Sequence, residues 1–286
     1  MSFSLLIMHG QTTKVSLNSA NPNITWQIAP QGDVNKTGNQ ISTPGFKMQE
    51  YLKGVVPGVV FTAYVEAGKE KDPNFADNIY EVDESFYNRP FWYRTEFELP
   101  ESYKEGRRVW LHFDNTNRYA DFYFNGSKLS GTATSTKDVS GHMLRTKYDV
   151  TDLVNKSGKN AVAVLITDAD QKKQRDSEEG FGVTASPTYL SAAGWDWMPY
   201  VPGRLAGITG DAYIRITGDL TLEDPWIRSQ LESNEFAYLF ISSALKNSSS
   251  SKKEITLSGV IQPGNIEFSK KITLNAGETS KIYIDK

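Results

Sequence analysis

The 286-residue sequence contains no cysteine, which excludes disulfide bonds, thiolate metal sites and cysteine nucleophiles. This absence leaves the compartment open, because cysteine-free proteins occur in both reducing and oxidising surroundings. An excess of positive charge is also lacking, since the formal net charge is −3 and the pI is about 5.7. Nucleic acids and anionic membrane surfaces are therefore not expected as partners.

A long apolar run is missing as well, and crossing a bilayer takes about 20 such residues. The apolar stretch Phe3–Met8 is much shorter, and two interpretations of it stay open. It is either the end of a secretory signal or a cloning remnant that runs into an ordinary first strand. We expect no membrane span and a periplasmic or secreted location, with the cytoplasm as the alternative.

Helical periodicity is scarce, and strand patterns take its place along the chain. Val109–Phe113 alternates apolar residues on one face, whereas Ala161–Ile166 is a continuous apolar run typical of a central strand buried on both faces. Asn125-Gly126 supplies the positive φ angles that a tight hairpin turn requires. Short strands, frequent turns and the lack of βαβ alternation predict an all-β chain built on a sandwich or jelly roll.

The pattern changes around Gly218–Pro225, and the strand segments that follow have the spacing of a small immunoglobulin-like sandwich. Such a domain has about seven strands, but only about five are recognisable here. We expect this sandwich to be incomplete, either because the chain is cut inside it or because other strands are supplied from elsewhere, and we favour the cut. The predicted organisation is an N-terminal segment, a first domain and the incomplete sandwich, over residues 1–22, 23–218 and 219–286.

Six short motifs follow one another between residues 24 and 218. They are Val56-Pro57-Gly58-Val59-Val60, Trp92-Tyr93-Arg94-Thr95-Glu96-Phe97, Val109–Phe113, Tyr123-Phe124-Asn125-Gly126, Tyr148-Asp149-Val150-Thr151 and Gly158–Val164. Each motif is unspecific alone, but in this order and spacing they resemble the sugar-binding jelly roll of family 2 glycoside hydrolases. The resemblance implies a galactose-binding-like jelly roll followed by an immunoglobulin-like domain.

One further segment narrows the resemblance within that family. Gly194-Trp195-Asp196-Trp197-Met198-Pro199, followed by Arg204 and Gly207-Ile208, resembles the Gly-Trp-Asp-Trp stretch of β-mannosidases, exo-β-glucosaminidases and mannosylglycoprotein endo-β-mannosidases. Two departures affect the expected substrate. Thr209-Gly210 stand where those relatives usually carry tryptophan, and Leu205 replaces a common asparagine.

The resemblance implies that Asp196 hydrogen-bonds the sugar in the −1 subsite, at the mouth of a catalytic barrel. We take Trp195, Trp197 and Arg204 as the other candidate substrate-binding residues. A carboxylate can accept two sugar hydroxyls at once, and an indole face can cover the apolar C–H patches of a pyranose. The alternative is a packed loop in which Asp196 caps backbone N–H groups.

Hydrolysis by this chain alone is not expected. Retaining glycosidases need two carboxyl groups about 5 to 5.5 Å apart, and the family holds them on a (β/α)₈ barrel of about 250 residues. Nothing in the sequence resembles such a barrel. Asn234-Glu235 matches the family's acid/base dipeptide, but it falls in a predicted turn without a second carboxylate in a matching context. We therefore assign no catalytic residue.

No cofactor or metal is assigned either. The three histidines lack metal-ligand spacing, and His112 is predicted to face solvent from a strand. Asp114–Asn117 resembles a calcium loop only in composition, because it lacks the Asp-x-Asp/Asn-x-Asp/Asn-Gly order.

Three functional hypotheses follow. The first is an accessory region that completes the sugar site of a parent glycosidase acting on β-mannosides or β-glucosaminides. Its partners would be a β-linked carbohydrate and the catalytic barrel of the same parent chain. The second is an autonomous carbohydrate-binding module, and the third is a structural sandwich pair that binds no sugar. We favour the first.

Overall fold

The computed structural model describes residues 12–117, 119–130, 144–167 and 205–285, and strands predominate in them. The strands are β1 (Thr13–Ser16), β2 (Trp26–Pro30), β3 (Leu52–Gly54), β4 (Phe91–Glu98), β5 (Arg108–Phe113), β6 (Tyr119–Phe124), β7 (Ser127–Lys128), β8 (Thr146–Asp149), β9 (Lys159–Thr167), β10 (Ala212–Thr217), β11 (Leu220–Leu231), β12 (Ala237–Asn247), β13 (Lys253–Ile261), β14 (Ile266–Leu274) and β15 (Thr279–Asp285). Short helices are α1 (Gly38–Ile41), α2 (Val60–Glu66) and α3 (Glu84–Tyr87), with 3₁₀ turns at Gln31–Asp33 and Asn78–Glu81. Within these ranges no helix is long and apolar enough to span a membrane.

The described residues group into two compact units. The first unit comprises Thr13–Glu105 and Val109–Ile216, and the second comprises Thr12, Gly106–Arg108 and the residues from Thr217 onward. Strand β1 pairs antiparallel with β10. Residues 13–16, which lie in the predicted N-terminal segment 1–22, therefore contribute to the first unit.

The first unit is a β-sandwich. Among the described residues, a four-stranded sheet in the order β1-β10-β5-β8 and a six-stranded sheet in the order β3-β2-β4-β9-β6-β7 share one core. Leu111 and Ile214 enter this core from the smaller sheet, and Tyr93, Phe122 and Val164 enter it from the larger one. The prediction of an all-β sandwich is confirmed.

Strand β9 lies between β4 and β6, as its continuous apolar sequence predicted. Val162 and Val164 pack into the core between the sheets, whereas Ala163 points to the opposite face and packs in a second cluster. That cluster also contains Trp92, and residues 34–48 cover it. Both faces of the larger sheet are therefore buried at its centre, which explains why β9 has no polar alternation.

A buried ion pair ties this covering segment to the sheet. Arg94 forms a salt bridge with Glu96 on the same face of β4, and its Nε donates to the Ile41 carbonyl oxygen at 2.9 Å. The Glu96 carboxylate accepts the Gly45 amide at 2.7 Å and lies 3.3 Å from Lys159 Nζ. The pair thus connects β4 to the backbone of the covering segment at Ile41 and Gly45.

Stability should depend on pH through Glu96. Burial alone would raise the pKa of Glu96, but the hydrogen bonds from Arg94, the Gly45 amide and Lys159 outweigh burial and lower that pKa. The stabilising contribution is then complete above the unfolded pKa of about 4.3 and is lost as pH falls through the lower folded value. In urea unfolding at stepped pH, the gap in unfolding free energy between wild type and Glu96→Gln should shrink from about pH 5 downward. A gap that stays constant down to pH 3 would contradict this.

The prediction that His112 faces solvent is wrong. Its side chain is buried, and its ring stacks on Tyr213 with centroids 4.6 Å apart and planes 10° apart. Strand alternation does place His112 away from the core that contains Leu111 and Phe113. The outer face of the smaller sheet, however, also carries the buried Trp110, so facing away from the core does not mean facing water.

In its described residues the second unit is a smaller sandwich of five strands, in agreement with the prediction of about five. Its sheets are β11-β12-β15 and β13-β14, and Leu245, Leu274 and Ile282 form a small buried cluster between them. The segment that marked the change of pattern, Gly218–Pro225, is largely the start of β11, in which a bulge separates Glu223 from Trp226.

Candidate functional site

The four residues predicted to bind sugar, Trp195, Asp196, Trp197 and Arg204, lie outside the described residues. The structure describes the framework on either side of residues 168–204. It thus shows how the sandwich holds the chain before and after the predicted sugar-binding segment.

Both flanks of this segment attach to the same stretch of the sandwich. Thr167, the last residue of β9, pairs with Tyr119, the first residue of β6. On the other side, Gly207 forms an antiparallel bridge with Asn117, with N–O distances of 2.8 and 2.9 Å in the two directions. The chain therefore leaves and re-enters the described framework beside residues 117–119.

Residues 205–209, which follow the segment and are called the returning flank below, are hydrogen-bonded on two sides. Opposite Asn117, the Val60 amide donates to the Ala206 carbonyl at 2.8 Å, and the Gly58 amide donates to the Ile208 carbonyl at 2.9 Å. Ala206 and Ile208 are buried in the sandwich core. The Gly207-Ile208 pair and the Val-Pro-Gly motif, which lie far apart in the sequence, thus form one structural element.

Gly207 is required by the closeness of this packing. A Cβ atom at this position would lie 2.4 Å from the Gly58 carbonyl oxygen and 2.7 Å from the Val59 Cα atom. Both are backbone atoms that cannot rotate away. The Tyr93 hydroxyl, at 3.0 Å, closes the remaining side.

Sequence reasoning missed the part played by Asn115 and Asn117. Both side chains are buried. Asn117 Nδ2 donates to the Leu205 carbonyl at 2.9 Å, and Asn115 Nδ2 donates to the Thr209 hydroxyl at 2.6 Å. The stretch whose composition suggested a calcium loop therefore holds the returning flank. In the described ranges, no group of three or more histidine, aspartate or glutamate residues is placed to hold a metal ion.

The structure shows the conformation of Leu205 and the contact of Thr209, the two described residues that depart from the family pattern. Leu205 adopts a φ of +55°, a left-handed conformation in which asparagine is enriched and a branched apolar residue is strained. Thr209, in the place of a common tryptophan, supplies the hydroxyl that Asn115 binds. This chain therefore anchors the flank through polar contacts.

Two tyrosines line this framework as neutral groups. Burial raises the pKa of Tyr93 well above its ordinary value. Burial and the nearby Asp114 carboxylate raise the pKa of Tyr213, whose hydroxyl donates to that carboxylate at 3.3 Å. Both phenols stay protonated at neutral pH. Tyr93 packs in the sandwich core, and Tyr213 also donates the hydrogen bond to Asp114.

This framework matches a known family over most of its length. The family described as glycosyl hydrolase 2 galactose-binding domain-like matches residues 26–210, well over half of the chain. The chain belongs to glycosyl hydrolase family 2. The predicted family resemblance and the galactose-binding-like jelly roll are confirmed, and both the Val-Pro-Gly motif and Gly207-Ile208 lie within the family 2 match.

Two curated relatives of this family 2 chain carry names from the expected branch. It is 28% identical over 248 residues to a mannosylglycoprotein endo-beta-mannosidase of Lilium longiflorum, covering 81% of this chain and 25% of the relative. It is 26% identical over 245 residues to an exo-beta-D-glucosaminidase of Amycolatopsis orientalis, covering 85% of this chain and 21% of the relative. The chain spans about a quarter of the length of these relatives.

Solved structures show the same fold. The exo-chitosanase CsxA of Amycolatopsis orientalis matches with a TM-score of 0.75 at 22% identity, covering 95% of this chain and 28% of that one. The beta-D-mannosidase of Dictyoglomus thermophilum matches with a TM-score of 0.67 at 19% identity, covering 96% and 31%. These matches extend over both units of the family 2 chain.

Proposed function

We propose that this chain is the non-catalytic N-terminal part of a family 2 glycosidase acting on β-mannosides or β-glucosaminides. In this proposal it contributes one side of the sugar subsite and supports a catalytic (β/α)₈ barrel of the same parent chain. The names of its relatives, an endo-mannosidase and a glucosaminidase, support this substrate class. We also propose that the parent protein is periplasmic or secreted, and the apolar stretch Phe3–Met8 supports this location.

The observation that carries the proposal is the fixed framework on both sides of residues 168–204. Binding a sugar requires that its contact groups be held in place, because looseness of about 1 Å is enough to impair a site. Here β9 fixes one flank, and the Val-Pro-Gly motif and Asn117 fix the other. This anchoring on both sides supports a role for residues 168–204 in positioning sugar-binding groups, rather than a role as a plain connection between two strands.

Asp196 is the residue that we propose for the principal sugar contact. Its carboxylate would accept two hydroxyl groups of the sugar in the −1 subsite, in charge-assisted hydrogen bonds. Trp195 and Trp197 would form an apolar wall against the C–H face of the ring, and Arg204 would border the subsite. The reaction itself would require the two carboxyl groups of the barrel.

The substitution Asp196→Ala tests this role in the intact parent enzyme. We expect kcat/KM on aryl β-mannosides or β-glucosaminides to fall by about a hundredfold, the effect of removing one preorganised hydrogen-bonding group from an active site. The melting temperature should change little. Asp170→Ala, also within residues 168–204, is the matched control and should leave kcat/KM within about twofold. Unchanged turnover with a lowered melting temperature would show that Asp196 is structural.

A binding experiment separates this proposal from an autonomous carbohydrate-binding module. Chitosan and β-mannan oligosaccharides are titrated calorimetrically into the isolated chain. If the barrel supplies the other side of the subsite, no heat of binding should be detected at millimolar ligand. Binding that Asp196→Ala abolishes would instead favour the autonomous module.

A further inference from the structure

The larger sheet of the second unit carries aromatic side chains on its outer face. In β12, Leu245 points into the buried cluster between the sheets, so strand alternation directs Ser242 and Phe240 to the opposite face. Trp226 and Tyr283 pair with Ser242 from its two sides and therefore lie on this outer face as well. Each of the three strands thus contributes an aromatic ring to the same surface.

Two of these rings are open to solvent. Trp226 is 58% exposed and Tyr283 is 55% exposed, although both belong to regular strands. Because neighbouring strands lie about 4.8 Å apart, the backbone positions of these two residues are separated by about 10 Å, a span that several linked sugars can bridge. A contiguous group of exposed rings, in contrast to single ones, marks a binding surface.

A guanidinium group lies among the rings. Arg228 pairs with Phe240, and its Cζ atom is 4.8 Å from the centre of the Phe240 ring and 5.5 Å from that of Trp226. These cation–π contacts hold the guanidinium at the outer face. Within the described part of the chain Arg228 has no hydrogen-bond or ion-pair partner. Its N–H donors are therefore available to a ligand.

The charges around the rings favour an anionic ligand. Lys281 lies on the same face, with its Nζ 5.4 Å from the centre of the Tyr283 ring. Glu223 shares the face but is separated from Trp226 by the bulge, and its carboxylate accepts the Thr221 hydroxyl at 2.8 Å. Asp285 is the last residue of β15. The two cations thus lie beside the exposed rings.

We propose that the aromatic face, made up of Trp226, Arg228, Phe240 and Tyr283, binds a chain of uronic acid sugars. Exposed indole and phenol rings match the apolar C–H face of a pyranose. The planar guanidinium matches a carboxylate, because it can donate two parallel hydrogen bonds to it. A uronic acid presents both groups on one ring, whereas a neutral sugar lacks the carboxylate and an acidic peptide lacks the rigid C–H face.

This site is separate from the one proposed for residues 168–204. It lies in the second unit, does not involve Asp196 and goes beyond the proposed function. Chitosan and β-mannan carry no carboxylate, so the expected absence of their binding to the isolated chain is compatible with it. In a parent glycosidase the aromatic face would hold the protein on a glycan that contains acidic sugars, while hydrolysis takes place elsewhere.

The test compares two sugar chains that differ in charge. A β-linked mannuronate hexasaccharide and the matching β-linked mannohexaose are titrated calorimetrically into the full chain, and the Trp226 indole N–H signal is followed by NMR. We expect the mannuronate to shift this signal and to bind at least about tenfold more tightly than mannohexaose. Trp226→Ala should weaken mannuronate binding about tenfold, and Arg228→Gln about fivefold, the upper end for an exposed ion pair.

The control variant is Tyr80→Ala. Tyr80 is an aromatic residue of the first unit that is 88% exposed, and its loss should leave the affinity within about twofold. Melting temperatures should stay at the wild-type value for Trp226→Ala and Arg228→Gln, because both side chains are exposed.

Four results would overturn the proposal. The first is that mannuronate does not bind or binds no better than mannohexaose, and the second is that both variants leave its affinity unchanged. The third is that polyglutamate of equal charge binds as tightly and depends equally on Arg228, which would identify an acidic peptide as the ligand. The fourth is concentration-dependent dimerisation that shifts the Trp226 indole signal, which would identify a second copy as the occupant.

Discussion

Replacing Arg94 by alanine should lower the free energy of unfolding of the first unit by about 4 kcal/mol, within the range for breaking a buried ion pair on one side only. The Glu96 carboxylate would stay in a mostly buried place without its main partner. The carbonyl oxygens of Ile41 and Thr43 would also lose their hydrogen bonds to the guanidinium. Urea unfolding followed by tryptophan fluorescence measures the loss, because Trp26 and Trp110 are buried in this unit.

The matched control for Arg94→Ala is Lys159→Ala. Lys159 is the other cation beside Glu96, 3.3 Å from its carboxylate, but its side chain is largely exposed. Exposed ion pairs contribute about 0 to 1 kcal/mol, so this change should be nearly neutral. Equal losses for the two variants would show that burial of the Arg94 pair has no special energetic role. Arg94→Lys should also destabilise, because an ammonium group cannot reach both carbonyl oxygens and the carboxylate as the planar guanidinium does.

Replacing Gly207 by alanine should destabilise the first unit by about 3 kcal/mol, at the upper end of the range for overpacking. The added methyl group would meet the Gly58 carbonyl oxygen and the Val59 Cα atom, so the backbone itself must separate. That separation would weaken the hydrogen bonds of the Gly58 and Val60 amides to the returning flank. Faster hydrogen exchange at these two amides, measured together with the unfolding free energy, would locate the damage.

Gly32→Ala is the control for this substitution. A Cβ atom at Gly32 would meet nothing within 4 Å, and its φ is not in the left-handed region. The variant should therefore stay within about 0.5 kcal/mol of wild type. Should Gly207→Ala be equally neutral, with unchanged exchange at Gly58 and Val60, the tight approach of the two segments would be disproved.

The sheets could be predicted from the sequence because their signals are local. The continuous apolar run of β9 indicated a central strand, and Asn125-Gly126 indicated a turn that has φ values of +44° and +83°. Helix α2 could not be predicted, because its sequence Val-Phe-Thr-Ala-Tyr-Val-Glu is short and rich in strand-favouring residues. Its start is fixed by the contact of Val60 with Ala206, far away in the chain.

The site framework was only partly predictable for the same reason. The family resemblance singled out the Val-Pro-Gly motif and Gly207-Ile208, but not their direct pairing. The hydrogen bond from Asn117 to Leu205 spans 88 positions, and a buried asparagine looks the same in a sequence as one in a surface loop. The prediction that His112 is exposed was wrong for a similar reason. Strand alternation assigns a side chain to a face of the sheet but does not say what covers that face.

The shared attachment of Thr167 and Gly207 bears on how chains with this fold can diversify. Thr167 pairs with Tyr119 and Gly207 pairs with Asn117, two positions apart in the sequence. The Cα atoms of Asn117 and Tyr119 are therefore at most about 7 Å apart. An insertion or deletion between the two attachment points therefore does not shift the register of any described strand. Because the entropic cost of closing a connection grows only slowly with its length, we expect that residues 168–204 can be replaced by a segment of another length while the pairing of the described strands is kept.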